Sequence, residues 1–429
     1  MPCLLAIFST CNHLCQEANV KRIQEFSNLE GGNDSGENYF AGAGEQKGEG
    51  KTNLEKQLPV ELSLFLLSHS GTYMEGAMKD LVDLLQELSS CPGPPGGEEP
   101  VATIIREHLE PSCQIQRDGL GSLIASKQGT RKQPRLMLTA HMDEVGFMLQ
   151  NITDGGYLRL QPLGGWIASN LPGQRVHIHG SKGPVEGIVA AVPPHFKKEQ
   201  KSEIKVEDLL VDVGAASKKE IASLGLKLGD LITPVSHFAI YNKKLLANKG
   251  WDDRVGCAVL VAAMKQLSSH PNTVVATATV QEEVGTRGAV TAVEVVKPQA
   301  AVVLEGAPAD DFPGITKDSP QGAVGHGCQI RLFDPSTIIH RHFWQWVTEL
   351  AKKLKITHQL AVRQSGATDA RPIHLAQGGI PTVVLAVPVR YAHGHSGLIH
   401  LDDFQATLKL TLAVLKKLDN KILTSLLPA

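Results

Sequence analysis

The sequence predicts an α/β fold: a central mixed sheet flanked by helices, with a small β-rich, barrel-like domain inserted into it. Three observations carry this. Short β-branched runs without polar alternation, Arg135 to Thr139, Thr273 to Val280, Ala300 to Leu304 and Pro381 to Val387, read as strands buried on both faces. Helical patterns fall between and after them, at Val255, Val259, Ala262 and Ala263, at Phe343, Trp346, Val347, Leu350 and Leu354, and at Phe404, Leu408, Leu412 and Leu415. Between residues 149 and 240 the texture changes to short strands broken by Gly155-Gly156, Gly164-Gly165, Pro172-Gly173, Gly183-Pro184 and Pro193-Pro194, the pattern of a separate β-rich insert.

The chain thus divides into an N-terminal extension at 1–73, a first part of the α/β domain at 74–148, the insert at 149–240, and a second part of the α/β domain at 241–429. The extension differs from the rest. Gly31 to Thr52 is rich in Gly, Glu, Lys, Asn and Ser with little to bury, so it is expected to stay mobile. Gly50-Lys51-Thr52 is not a phosphate-binding loop, because Glu45 stands where the spacing needs glycine and no strand leads into it. Leu81, Leu84, Leu85 and Leu88 then form one apolar face of a helix, where ordered structure is expected to begin.

Composition excludes several classes. Lys plus Arg total 42 against 44 for Asp plus Glu, a net charge of −2, and no basic block is long enough to clamp a polyanion, so nucleic acid is not an expected partner. Leu62 to Leu67 falls far short of the roughly 20 apolar residues of a membrane span. Met1 to Phe8 is apolar but lacks the basic lead-in and cleavage site of a secretory leader, so a cytoplasmic location is expected. The seven cysteines include no Cys-x-x-Cys pair, which argues against a thiolate zinc site or a disulfide framework.

Five segments place a ligand or acid/base group at or just after the end of a predicted strand, or at the start of a helix, where open α/β sheets build their sites. His141 and Asp143 follow Leu136-Met137-Leu138, and Asp252 and Asp253 open a helix. Glu282 and Glu283 follow the strand from Thr273, Glu305 follows Val302-Val303-Leu304, and His393 and His395 follow the strand ending at Val387. Each has a plainer reading alone: a core or surface histidine, a helix cap at Asp252 or Asp253, a solvated loop pair at Glu282 and Glu283. Together they suggest a metal site in which Glu283 coordinates and Glu282, left unligated, moves a proton. His177 and His179, and His340 and His342, lack a third ligand and are read as structural. Asp369 is either a cleft residue or a turn and helix-cap residue, and the neighbourhoods of Asp369 and Gly325-His326-Gly327 are candidate pocket walls.

With Cys91-Pro92-Gly93-Pro94, Glu98-Glu99, Gly164-Gly165 and Gly366-Ala367-Thr368-Asp369, these segments resemble, in order and spacing, the M42 metallo-aminopeptidases, the glutamyl and tetrahedral aminopeptidase group, over about residues 80 to 420. The resemblance implies a di-zinc exopeptidase-like fold. It makes His141, Asp252 and Glu305 ligands of one divalent ion and Asp252, Glu283 and His393 ligands of a second, with Asp252 the bridge. Asp143 becomes the partner that orients His141, and Glu282 the general base acting on a water shared by the two ions. Gly394-His395 stands where the family has Ser-Pro, which makes His395 a competitor of His393, and Glu305 occupies a position that is Asp in some members. Zinc or cobalt are the expected ions, with manganese a third choice.

Short peptides are the implied substrates. Self-association is implied as well, through the insert, into dimers that combine as a tetrahedral dodecamer. Two other readings fit parts of the pattern. An endoglucanase-type glycoside hydrolase would need two carboxylates and no metal pair. A catalytically silent assembly protein would have no use for a complete ligand set plus Glu282.

Overall fold

A computed structural model of the chain describes residues 76, 78–193, 195, 204–315 and 320–426. The expectations for residues 1–73 lie outside these. The strands in chain order begin with β1 (Gln114–Arg117), β2 (Leu123–Lys127), β3 (Arg135–His141), β4 (Gly146–Ile152), β5 (Leu158–Leu163) and β6 (Arg175–Gly180). They continue with β7 (Gly183–Val189), β8 (Leu210–Asp212), β9 (Leu231–Pro234), β10 (Ala239–Tyr241), β11 (Leu245–Asn248) and β12 (Thr273–Thr279). The last six are β13 (Ala300–Pro308), β14 (Cys328–Asp334), β15 (Thr337–Ile338), β16 (His358–Val362), β17 (Thr382–Val389) and β18 (Gly397–His400).

The main sheet runs β1-β2-β12-β3-β13-β17-β14-β15, with β16 paired to β14. Its centre, β12-β3-β13-β17, is parallel throughout, while β2, β14 and β15 join antiparallel, so the sheet is mixed as expected. Every residue of β12 and β17 is buried, which explains why these strands read as unbroken apolar or Thr-rich runs rather than alternating ones. Helix Trp251–Gln266 packs on β3 and β13 and touches helices Glu99–Leu109 and Leu401–Lys417. A second pair, Arg287–Val296 and Ala370–Leu375, packs on β12, β13 and β17.

The expected insert is a closed six-strand barrel, β4-β5-β8-β7-β6-β9. Phe147, Leu149, Leu158, Leu160, Val176, Ile178, Val189, Val211 and Ile232 alternate inward and fill it. It therefore has its own core, separate from the one beneath the main sheet.

Two features seat the start of helix Trp251–Gln266. A Cβ on Gly306 would lie 2.6 Å from the Trp251 carbonyl oxygen and 2.8 Å from the Asp252 Cα, so only glycine lets the helix start approach β13 this closely. Arg254 is fully buried, and its guanidinium donates to the carbonyls of Met142 (2.6 Å), Leu88 (2.7 Å), Cys91 (2.6 Å) and Gly93 (3.2 Å). A buried cation survives only when its donors are used this fully, and here they tie two chain segments, residues 88–93 and the turn after β3, to one helix. Asp253 caps the helix, as its plainer sequence reading has it, accepting the Gly256 N–H at 3.0 Å, and it also accepts the His141 N–H at 3.1 Å.

Candidate metal centre and catalytic cleft

The parallel strands deliver the charged side chains at their carboxyl ends. His141 is the last residue of β3. Beyond β12 the chain turns at Gln281, with φ of 56°, so Glu282 and Glu283 leave the pleat and both face one cleft. After β17, Tyr391 and His393 both adopt φ of 61°, which swings the His393 ring back over the sheet end. Glu305 differs from expectation. β13 does not stop before it but runs to Pro308, so Glu305 is a strand-interior carboxylate in the middle of the sheet and only 6% exposed.

The two histidines share a design. The Nδ1 of His141 lies 3.0 Å from the carbonyl oxygen of Asp143, and the Nδ1 of His393 lies 2.8 Å from that of Gly165. A carbonyl only accepts, so each Nδ1 carries the hydrogen and each Nε2 is left to face the cleft. The Nε2 of His141 stands 3.2 Å from Asp252 Oδ1 and 3.5 Å from Glu305 Oε1. The Nε2 of His393 stands 3.3 Å from Asp252 Oδ2 and 3.6 Å from Glu283 Oε1. Asp252 therefore turns one oxygen to each histidine. It can do so because its backbone, with φ −85° and ψ 104°, is not helical.

A nitrogen lone pair facing carboxylate oxygens requires a positive charge between them, either a proton or a metal ion. Two atoms bound tetrahedrally to one zinc ion at about 2.0–2.1 Å are roughly 3.3 Å apart, which the observed spacings match. His141, Asp252 and Glu283, and also His141, Asp253 and Glu305, present atoms all within 4.8 Å of one another. Asp253 completes the second group by distance, yet it is fully buried and its oxygens take backbone N–H groups. The Oε1 of Glu283 is buried without a hydrogen-bond partner among the described residues, as a ligand atom would be. The donor set of imidazole and carboxylate suits zinc, cobalt or manganese.

The electrostatics agree. Burial opposes charge on both histidines, but hydrogen bonds to the surrounding carboxylates outweigh it, holding His141 well above its ordinary value and His393 at about 10. Burial, with the Asp252 charge adding to it, lifts Glu283 to about 8 and Glu305 to about 7. Burial likewise lifts Glu282, aided by the nearby Asp369, Glu305 and Glu283. This crowd of carboxylates holds protons where cations would otherwise satisfy it.

Further residues support the loop that carries the two glutamates. Asp143 reaches His141 chiefly through its carbonyl, its Oδ1 standing 3.5 Å from Nδ1. Its carboxylate oxygens accept the N–H of Glu282 at 2.9 Å and of Glu283 at 3.0 Å. Glu98 accepts the N–H groups of Gly96 and Gln281. Asp369 accepts from Thr279 Oγ1, and its other oxygen is buried without a hydrogen-bond partner among the described residues. His395 lies away from the cluster. Neither ring nitrogen has a hydrogen-bond partner among the described residues, its ring sits 5.7 Å from that of Trp166, and burial holds it at about 4. Gly325 and Gly327 are not among the described residues lining the cleft; their N–H groups are bound by Asp403.

The cleft holds about 460 Å³, and its lining includes Asp252, Glu282, Glu283, Glu305 and His393 together with Arg331, Arg363 and Arg371. Sequence reasoning missed these arginines. They come from β14, from a loop and from a short helix, and no spacing rule links them.

Residues 121–410 match the sequence model of the family described as M42 glutamyl aminopeptidase. A lysyl aminopeptidase of Pyrococcus furiosus is 30% identical over 346 residues, 78% of this chain and 97% of its own. A TET aminopeptidase from a marine-sediment Thaumarchaeota archaeon superposes with a TM-score of 0.79 at 38% identity, covering 81% of this chain and 99% of its own. The TET1 peptidase of Pyrococcus horikoshii, which can assemble into a tetrahedron or a large octahedral shell, has a TM-score of 0.70 at 32% identity, covering 79% of this chain and 100% of its own.

Proposed function

The chain belongs to the M42 glutamyl aminopeptidase family, which makes it an aminopeptidase, and from that premise we propose that it removes N-terminal residues from short peptides with two divalent metal ions. The observation that carries this reading is the pair of histidines, each with Nδ1 satisfied by a carbonyl and Nε2 facing one oxygen of Asp252. His141, Asp252 and Glu305 would hold one ion and Asp252, Glu283 and His393 the other. Bound divalent cations supply Lewis acidity, lowering the pKa of water and polarising a carbonyl.

The chain's own residues do the rest. Glu282 lines the cleft and accepts no ligand role, so it takes the proton of the attacking water and later returns it to the leaving amine. Asp143 fixes where that carboxylate stands by gripping its backbone N–H. A cleft of about 460 Å³ accommodates only a few residues of an extended chain, which suits trimming from one end. Self-association into a closed shell, as the TET1 peptidase undergoes, is part of the same proposal.

The test is a screen of aminoacyl anilides before and after chelation. Turnover should disappear with the chelator and return with zinc, cobalt or manganese. Chelator-insensitive cleavage of a β-glucan with no anilide turnover would replace it with the glycoside hydrolase reading. Absence of any turnover in ion-loaded protein would leave the silent assembly reading.

A further inference from the structure

Two cavities meet at one cation. The metal-bearing cleft of about 460 Å³ adjoins an outer, more open space of about 500 Å³ lined by Pro335, Ser336, Gly366, Ala367 and Arg371. Gly366, Ala367 and Arg371 line both, so the Arg371 side chain stands at the passage between them. Outside the metal cluster and Glu282, the described residues lining the cleft carry no acid, only Arg331, Arg363 and Arg371.

These three differ in what they are free to do. Arg331 is buried, with Nη1 3.4 Å from Asp334 Oδ2, and its charge offsets a small part of the burial that raises the neighbouring Glu305. Arg363 donates to the Pro308 carbonyl at 2.9 Å and lies 3.4 Å from Asp310 Oδ2. Arg371 is exposed, and its guanidinium has no hydrogen bond or ion pair among the described residues. The acids flanking that wall in sequence are both buried: Asp334 already accepts from Ser336 and Arg331, and Asp369 from Thr279. An unspent planar fork of donors at the only charged point shared by two substrate-accessible spaces is matched to a carboxylate.

We propose that Arg371 is the residue that recognises a carboxylate on the peptide, supplied either by an acidic leading side chain or by the free end of a di- or tripeptide. The proposal deepens the aminopeptidase reading and rests on it. A carboxylate held equally in the ground state and the transition state contributes to KM and kcat/KM and not to the chemical step.

The experiment compares wild type, Arg371→Ala and Arg371→Lys on glutamyl anilide, leucyl anilide, the dipeptide Leu-Gly and its C-terminal amide. In wild type, one carboxylate-bearing member should exceed its neutral counterpart at least tenfold in kcat/KM. Arg371→Ala should bring that ratio to near one through KM, and Arg371→Lys should restore part of it. A lost glutamyl advantage assigns the side-chain source, and a lost Leu-Gly advantage the chain end. Ratios unchanged by Arg371→Ala, or an equal fall on all four substrates, overturn the inference while leaving the aminopeptidase reading intact. Ion-loaded wild type inactive on all four overturns that reading and the inference with it.

Discussion

The carboxylate of Asp143 accepts the backbone N–H of Glu282 at 2.9 Å, so one acid positions another without touching its side chain. Its second oxygen does the same for Glu283 at 3.0 Å, and the proposed base and the proposed ligand beside it hang from one fully buried group. Asp143→Asn turns an amide donor toward one of those N–H groups. Hydrogen bonds to a charged group contribute about 1.5–3 kcal/mol each, so the variant should lose about 2 kcal/mol of stability. Its kcat/KM should fall at least tenfold, and denaturant unfolding with anilide kinetics reads both. Unchanged turnover would show that the loop needs no such anchor.

Glu282→Gln removes the proposed proton carrier while keeping its shape. Turnover should fall by about 10²- to 10⁴-fold, the usual contribution of general acid–base catalysis. Bound-ion content should stay at the wild-type level, because Glu282 is not among the proposed ligands. Anilide kinetics beside elemental analysis separate the two, and a variant that also sheds its ions would make Glu282 a ligand instead.

Gly306 is where backbone packing meets the site. Gly306→Ala puts a methyl group 2.6 Å from the Trp251 carbonyl oxygen, and overpacking of this kind costs about 1–3 kcal/mol. The neighbour that must yield carries Asp252, so weaker ion retention should accompany the lost stability. Thermal unfolding and an ion-competition titration test this together.

Much of this was legible in the sequence because the physics is local. Strands such as Thr273–Thr279 and Thr382–Val389 are buried on both faces, so their runs announce a covered parallel sheet. Polar groups that follow such runs, His141, Glu282 and Glu283, stand out against them. Glu305 was misjudged as ending its strand, because a carboxylate inside a central strand makes sense only once its partners from β3 and the helix start are known. The work of Arg254 and Glu98 was hidden for the same reason: their partners are backbone groups, and backbone groups leave no mark in a sequence. Gly394-His395 left two histidines open, and geometry brings His393 rather than His395 to the cluster.

Ion-stripped protein should show an unusual pH response. His393 is raised to about 10 from an ordinary 6.5, and Glu283 and Glu305 are raised to about 8 and about 7 from 4.5. In each case the folded state holds its proton more tightly than the unfolded chain, so the stabilisation is complete below the unfolded value and lost as pH rises through the folded one. Asp252 is shifted downward, but its contribution is already complete above pH 4, and His395, held at about 4, has contributed in full above 6.5. Between pH 6.5 and 9 the melting temperature of stripped protein should therefore fall. Ion-loaded protein should fall much less, since the same groups are then ligands and not proton carriers. Parallel pH profiles by calorimetry check this, and coincident profiles would contradict it.

The account stands most directly on how many cations one chain holds. Protein saturated with zinc or cobalt, dialysed at neutral pH and measured by elemental analysis against chain concentration, should retain two ions per chain, and Asp252→Asn should lose both, because in the proposed site each would depend on the carboxylate that faces His141 and His393. Retention of none by the unaltered protein, or an Asp252→Asn protein that keeps both, would contradict it.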